Sequence, residues 1–183
     1  MGSRPHRSDA RRNRELLLEV ARDALATDPG TSMNEIAKRA AVGPGTLYRH
    51  FPSREALIME LYRTELTALI DLAPRLLTDH QPLDALRAWV HEIRRYAGLK
   101  YGLAEVIHAA TDNNRPDPSY APFVAAIATL LEAGARSGDL KPNLDPEDVL
   151  LQLSVLWRID PAADPDRADR LANLIIDGLL PRP

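Results

Sequence analysis

Between Thr31 and Arg54 the chain reads TSMNEIAKRAAVGPGTLYRHFPSR, and this stretch leaves few folds open. Ser32 followed three residues later by Glu35 is the pattern of a capping box, in which a hydroxyl and a carboxylate satisfy free amides at a helix start. Met33, Ile36, Ala37 and Ala40 then recur at the spacing of one helical face. Ala41-Val42-Gly43 makes a tight turn, and Pro44 opens a second helix where its missing N–H removes nothing. Leu47 and Phe51, four apart, point one way and leave Thr46, Tyr48, Arg49 and His50 for the other faces. This is the pattern of a helix-turn-helix, whose second helix enters the DNA major groove. Periodicity alone would equally serve a helical hairpin in an ordinary core.

Residue identities separate the two. The Ile36-Ala37 pair, the run Thr46-Leu47-Tyr48-x-His50-Phe51 and the basic Arg54 opening the next helix resemble the DNA-binding segment of the TetR family of bacterial repressors, over about residues 11–62. That resemblance implies that Thr46, Tyr48 and His50 contact bases or phosphates and that Arg54 holds the DNA backbone. Hydroxyl, phenol and imidazole donors do suit phosphate oxygens. Arg49 is the side chain best able to read guanine through O6 and N7, worth about 1–3 kcal/mol of discrimination. The expected DNA-contacting set is Arg11, Thr31, Ser32, Pro44, Gly45, Thr46, Tyr48, Arg49, His50 and Arg54. One departure stands out. Where the family often has Gly-Val-Ser in the turn, this chain has Ala41-Val42-Gly43, and Pro44-Gly45 follow where longer polar side chains are common. Base readout by the second helix is therefore expected to be thin, with the amino-terminal arm supplying part of the specificity.

A net charge of −3 argues against a nucleic-acid partner until the chain is divided. Residues 1–63 hold eleven Lys/Arg against eight Asp/Glu, net +3, and residues 64–183 hold twelve against eighteen, net −6. A basic end on an acidic body suits a protein that lays one end on phosphates. Cysteine is absent, which removes disulfides and thiolate metal sites. No apolar run reaches the roughly 18 residues of a membrane span, so a cytoplasmic protein without membrane partners is expected.

The fold class expected is all-α, with about nine helices: a three-helix DNA-binding domain and then a helical ligand-binding and dimerisation domain. Residues 1–10, with Arg4, Pro5, His6 and Arg7 and no apolar periodicity, read as a flexible basic arm. Residues 11–54 form the DNA-binding domain, with a connecting helix capped by Ser53, and residues 55–183 form the body. Pro74 is expected to kink or end the connecting helix. Helices are expected from Pro82 to about Ala110 in two stretches, from about Ala121 to Ser137 with Gly138 as its cap, and from Asp145-Pro146 onward. The segment 111–122, TDNNRPDPSYAP, reads as a loop.

The helix VLLQLSVLWRI after Asp145-Pro146 is apolar nearly all round, so it needs burial on every side. Central placement in a monomer core would supply that burial, and so would its own domain on one face and a second copy on the other. With the final amphipathic helix it is read as half of a two-fold interface, through Val149, Leu153, Leu156, Leu171, Leu174, Ile175 and Gly178. TetR-like proteins dimerise there too, and the resemblance also implies a small-molecule effector held in the body. Candidate pocket residues by chemistry are Tyr62, Trp89, Arg94, Tyr96, His108, Phe123 and Trp157. Glu105-x-x-His108 has the spacing of half a di-iron site, but such sites need two such pairs and two further glutamates. No metal, resident cofactor or enzyme activity is expected. The reading is a homodimeric, ligand-responsive repressor that binds a palindromic operator. A helical ligand-binding protein without DNA affinity, or a helical metalloenzyme, are its alternatives.

Overall fold

The computed structural model describes residues 5–111, 118–160 and 162–181, with the side chains of 5–11 and 108–111 left out. Every regular element among them is helical: α1 Pro5–Thr27, α2 Met33–Arg39, α3 Pro44–His50, α4 Arg54–Asp79, α5 Pro82–Gly102, α6 Ala104–Thr111, α7 Tyr120–Ser137, α8 Pro146–Leu153 and α9 Arg167–Leu179, with a 3-10 turn at Ser154–Arg158. They divide into two compact units. The first comprises Met1–Tyr62 with Gly102–Ala110, the second Arg63–Tyr101 with Thr111–Pro183. The division falls inside α4, eight residues beyond the boundary expected at 54, and α6 groups with the amino-terminal helices.

In the first unit Leu17, Ala21, Ala24 and Leu25 of α1 are buried against Ile36, Ala37, Leu47, Phe51, Leu57, Ile58 and Leu61. At roughly 1.5–3 kcal/mol per buried large apolar side chain, this core holds α2 and α3, two seven-residue helices that would not persist alone. After α1 the chain turns sharply. The Asp28 carboxylate accepts from the Gly30 amide at 2.8 Å, and the Asp28 carbonyl accepts from the Thr31 amide at 3.0 Å. Gly102 lies against this turn: a Cβ there would sit 2.6 Å from Pro29 Cγ, so the close approach requires glycine.

One expected boundary is corrected, and of the two outcomes expected at Pro74 the helix does not take the ending. Helix α1 begins at Pro5, so residues 5–10, expected as part of a flexible arm, are helical; residues 1–4, with Arg4, lie outside the described residues. Helix α4 continues through Pro74 to Asp79, because an internal proline removes a single amide donor and neighbouring turns can carry that loss.

The second unit packs α7 on α8, and α8 on α9. Gly138, at φ 83°, ends α7 in the left-handed conformation, and Asp145 caps α8 by accepting from the Glu147 amide at 2.8 Å. The expected single helix VLLQLSVLWRI is broken. Its second half is the 3-10 turn, and the break falls where the Ser154 hydroxyl donates to the Leu151 carbonyl at 2.6 Å. A hydroxyl that bonds back to its own helix competes with the i→i−4 ladder and loosens it. Among the described residues no helix is long and apolar enough to cross a membrane.

Candidate nucleic-acid interface

The amide of Glu35 donates to the Ser32 hydroxyl at 3.2 Å, which starts α2 where the sequence places it. The reciprocal half of the capping box is spent differently: the Glu35 carboxylate accepts from Arg39 Nε at 3.1 Å, one turn ahead. Helix α2 ends in a Schellman turn. The Val42 amide reaches the Ala37 carbonyl at 3.0 Å, the Ala41 amide reaches the Lys38 carbonyl at 3.1 Å, and Ala41 sits at φ 54°. Glycine normally takes that position, since a Cβ in the left-handed region costs about 1–2 kcal/mol. Ala41→Gly is therefore expected to stabilise the first unit by about 0.5–1 kcal/mol after the extra freedom of unfolded glycine is deducted. Chemical denaturation of the two proteins measures it, and a lowered midpoint would show that the turn is unstrained.

Helix α3 then presents its outer surface. Leu47 and Phe51 are buried in the core, whereas Pro44, Gly45, Tyr48 and Arg49 are exposed and Thr46 is half-buried. Tyr48 is 46% exposed, so its phenol is available to a partner. A Cβ at Gly43 or Gly45 would meet nothing within 4 Å, so packing does not require the bare backbone there. His50 is half-buried; its Nε2 is enclosed without a hydrogen-bond partner, and its ring lies 6.3 Å from that of Phe51.

Two residues of the expected contact set are hydrogen-bonded to protein backbone. Thr31 is only 5% exposed, and its hydroxyl donates to the Asp28 carbonyl at 2.7 Å, so it closes the α1–α2 turn. Arg54 donates from Nη1 to the Thr31 carbonyl and from Nη2 to the Pro29 carbonyl, so its guanidinium lies on protein backbone. The Arg11 side chain lies outside the described residues. The structure thus gathers Pro44, Gly45, Thr46, Tyr48 and Arg49 on α3, with Ser32 exposed at the start of α2. Arg14, one of the cations crowding the start of α1, is also engaged within the unit. It bridges to Glu60 at 2.7 Å, with its guanidinium 5.1 Å from the centre of the Phe51 ring.

The carboxy-terminal portion of the chain, residues 81–181, matches the family description "Transcriptional regulator SbtR-like, C-terminal domain", and residues 17–61 match "Bacterial regulatory proteins, tetR family". The chain belongs to the TetR family. Its three-helix amino-terminal unit is the helix-turn-helix domain of that family. Two solved TetR regulators agree with the fold over nearly their full length. One, from Streptomyces coelicolor, is 32% identical, with 93% of this chain and 99% of that one covered and a TM-score of 0.80. The other, from Mycobacterium vanbaalenii, is 33% identical, with 97% and 100% covered and a TM-score of 0.75. An HTH-type transcriptional regulator of Staphylococcus aureus is 36% identical over 66 residues, which span 35% of this chain and 36% of that relative.

In the body of this TetR-family chain the aromatic candidates are placed mostly in the core. Trp89 is fully buried, its indole N–H donates to the Leu69 carbonyl at 2.8 Å, and its ring packs 5.4 Å from that of Phe123. Tyr96 is buried as well. Arg94 pairs with Asp169, Tyr62 falls in the first unit, and the His108 side chain lies outside the described residues. Trp157 is half-buried under the Lys100 ammonium, 3.9 Å from the ring centre, with its indole nitrogen enclosed and unpartnered. The open space is elsewhere in the second unit. A cleft of about 550 Å³ beside the end of α7 is lined by Leu131, Glu132, Arg136, Lys141, Asn143 and Leu144 among others. A second, of about 660 Å³, is lined by residues that include Leu77, His80, Pro82 and Arg136. Neither set carries a motif, which is why sequence reasoning passed over them.

The residues expected at a two-fold interface divide by exposure. Val149, Leu153 and Leu156 are buried within the unit itself and have no apolar surface left to bring to a partner. Leu151, Val155 and Leu174 are exposed, at 72%, 40% and 66%, with Leu171 and Ile175 half-buried and Gly178 exposed beside them in sequence.

Proposed function

We propose that the protein is a repressor that binds a palindromic operator as a homodimer and leaves it when a small molecule occupies the body. The observation that carries the DNA-binding half is the outer surface of α3. Pro44, Gly45, Tyr48 and Arg49 are exposed on a helix whose opposite side is locked into the core by Leu47 and Phe51. Such a helix can enter a major groove without rearranging. Tyr48 and Thr46 suit phosphate oxygens, and Arg49 suits guanine.

The dimer is supported by the large aliphatic side chains left exposed on α8, the 3-10 turn and α9, three elements that pack on one another, since exposed aliphatic surface of this kind suits association. Two-fold symmetry then fixes two reading helices about one helical turn of DNA apart, or a multiple of it. The effector, an unidentified small molecule, acts by binding better to dimers whose reading helices are wrongly spaced. The clefts beside α7 offer open space in the second unit that would admit one.

Selection of bound duplexes from a random library, using the full chain, tests the proposal. A two-fold symmetric sequence is the expected outcome. Enrichment of no duplex, or of an asymmetric one only, would remove the operator reading and leave a ligand-binding protein without DNA affinity.

A further inference from the structure

Arg54 opens α4 immediately after Ser53, whose hydroxyl caps that helix by accepting from the Ala56 amide at 3.1 Å. It also lies three residues past Phe51, the buried side chain that closes α3. Its two terminal nitrogens reach back 25 and 23 residues to the carbonyls of Pro29 and Thr31, the second of which directly precedes the α2 cap Ser32. The loop it grips is already shaped by the Asp28 turn and by the Thr31 hydroxyl, which donates to Asp28 O. On its far side Pro29 meets Gly102.

We infer that Arg54 is a positioning residue: it ties the start of α2 to the start of α4, so that α3, between them in sequence, is held at a fixed angle, and it does not act as a phosphate contact. A guanidinium can do this because it is a planar fork with several fixed donors. A lysine ammonium is a point charge and cannot present two diverging N–H groups to two carbonyls in the same way. The fork also suits a phosphate, so it is the salt slope, and not the loss of affinity in Arg54→Lys by itself, that separates the two roles. The inference rests on the DNA-binding reading, which wild-type selection tests separately.

The experiment uses the full chain, the duplex enriched for the wild type, and the variants Arg54→Lys and Arg54→Gln, each first shown to be helical and folded. Affinity is measured between 50 and 200 mM salt, together with hydrogen exchange of the amides in 30–36. A phosphate contact contributes about 0.9 to the slope of log affinity against log salt for each phosphate neutralised. The expected result is that both variants lose at least tenfold in affinity, that Arg54→Gln keeps the wild-type slope, and that exchange across 30–36 quickens. Retained affinity in Arg54→Lys, or a slope in Arg54→Gln reduced by about 0.9 per protomer, would overturn the inference. Should a variant fail to fold, nitrogen-15 spectra of wild-type protein without DNA decide the matter. Separate, slowly exchanging Nη resonances for Arg54 support the bridge, and a single averaged resonance that sharpens into separate ones only on adding duplex overturns it.

Discussion

Leu174→Glu is expected to split the proposed dimer while leaving each protomer folded. In the isolated chain Leu174 is 66% exposed on α9, so exchanging it there alters folding by no more than about 0.5 kcal/mol. In a two-fold interface the same position is buried, and symmetry makes the substitution count twice. Each buried carboxylate without a partner costs about 2 kcal/mol or more. Two of them raise the dimer dissociation constant by roughly a thousandfold at the least. Sedimentation measures the association, and the melting curve measures the fold. Affinity for a full palindrome should fall toward that for a half-site, because each protomer then binds alone. Leu151→Glu, at the most exposed leucine of α8, should behave alike. A dimer that survives both changes would show that the exposed leucines face solvent and that the two-fold interface lies elsewhere. Leu153→Glu is a poor probe by contrast, since Leu153 is already buried within its own unit and its loss would unfold the protomer.

That contrast shows where sequence reading succeeded and where it ran out. The bounds of α2 and α3 were legible because their signals are local: Ser32 caps one and Pro44 opens the other, and neither depends on distant residues. The face of α3 that carries Leu47 and Phe51 was legible for the same reason. By contrast, Val149, Leu153 and Leu156 could not be told from Leu151 and Val155 in a run that is apolar nearly all round. Periodicity says that such a segment is buried, and leaves open which side meets its own chain. The role of Arg54 was hidden for a different reason. Its partners are main-chain carbonyls 23 and 25 residues away, and a carbonyl leaves no trace in side-chain identity. The turn-closing bond of Thr31 was not legible either, because a hydroxyl before a helix suits DNA and suits a turn equally, and burial is not printed in the sequence. The first turns of α1 carry no apolar stripe, so a method that counts apolar spacing passed over a helix that starts at Pro5.

Phe51→Ala is expected to cost the first unit about 3–5 kcal/mol, the range for deleting a buried aromatic ring from a core. Phe51 is 2% exposed, follows the last turn of α3, and its amide donates to the Leu47 carbonyl at 2.8 Å. The Arg14 guanidinium lies over its ring at 5.1 Å while bridging to Glu60 of α4. Removing the ring therefore leaves a cavity among α1, α3 and α4 and takes away one of the surfaces that orients Arg14. A loss of this size is a large part of the stability of a small domain, and operator affinity should vanish with it. The second unit has its own core, built on Trp89, Ile93, Phe123 and Ile127, and should keep its structure. Thermal unfolding followed by far-ultraviolet dichroism should show a new early transition, with the later one unmoved. Trp89 and Trp157, both in the second unit, report that later step by fluorescence. A single transition shifted as a whole would show that the two units unfold together. An unshifted curve would show that Phe51 does not anchor α3, and the account of a reading helix held from behind by Leu47 and Phe51 would then fail.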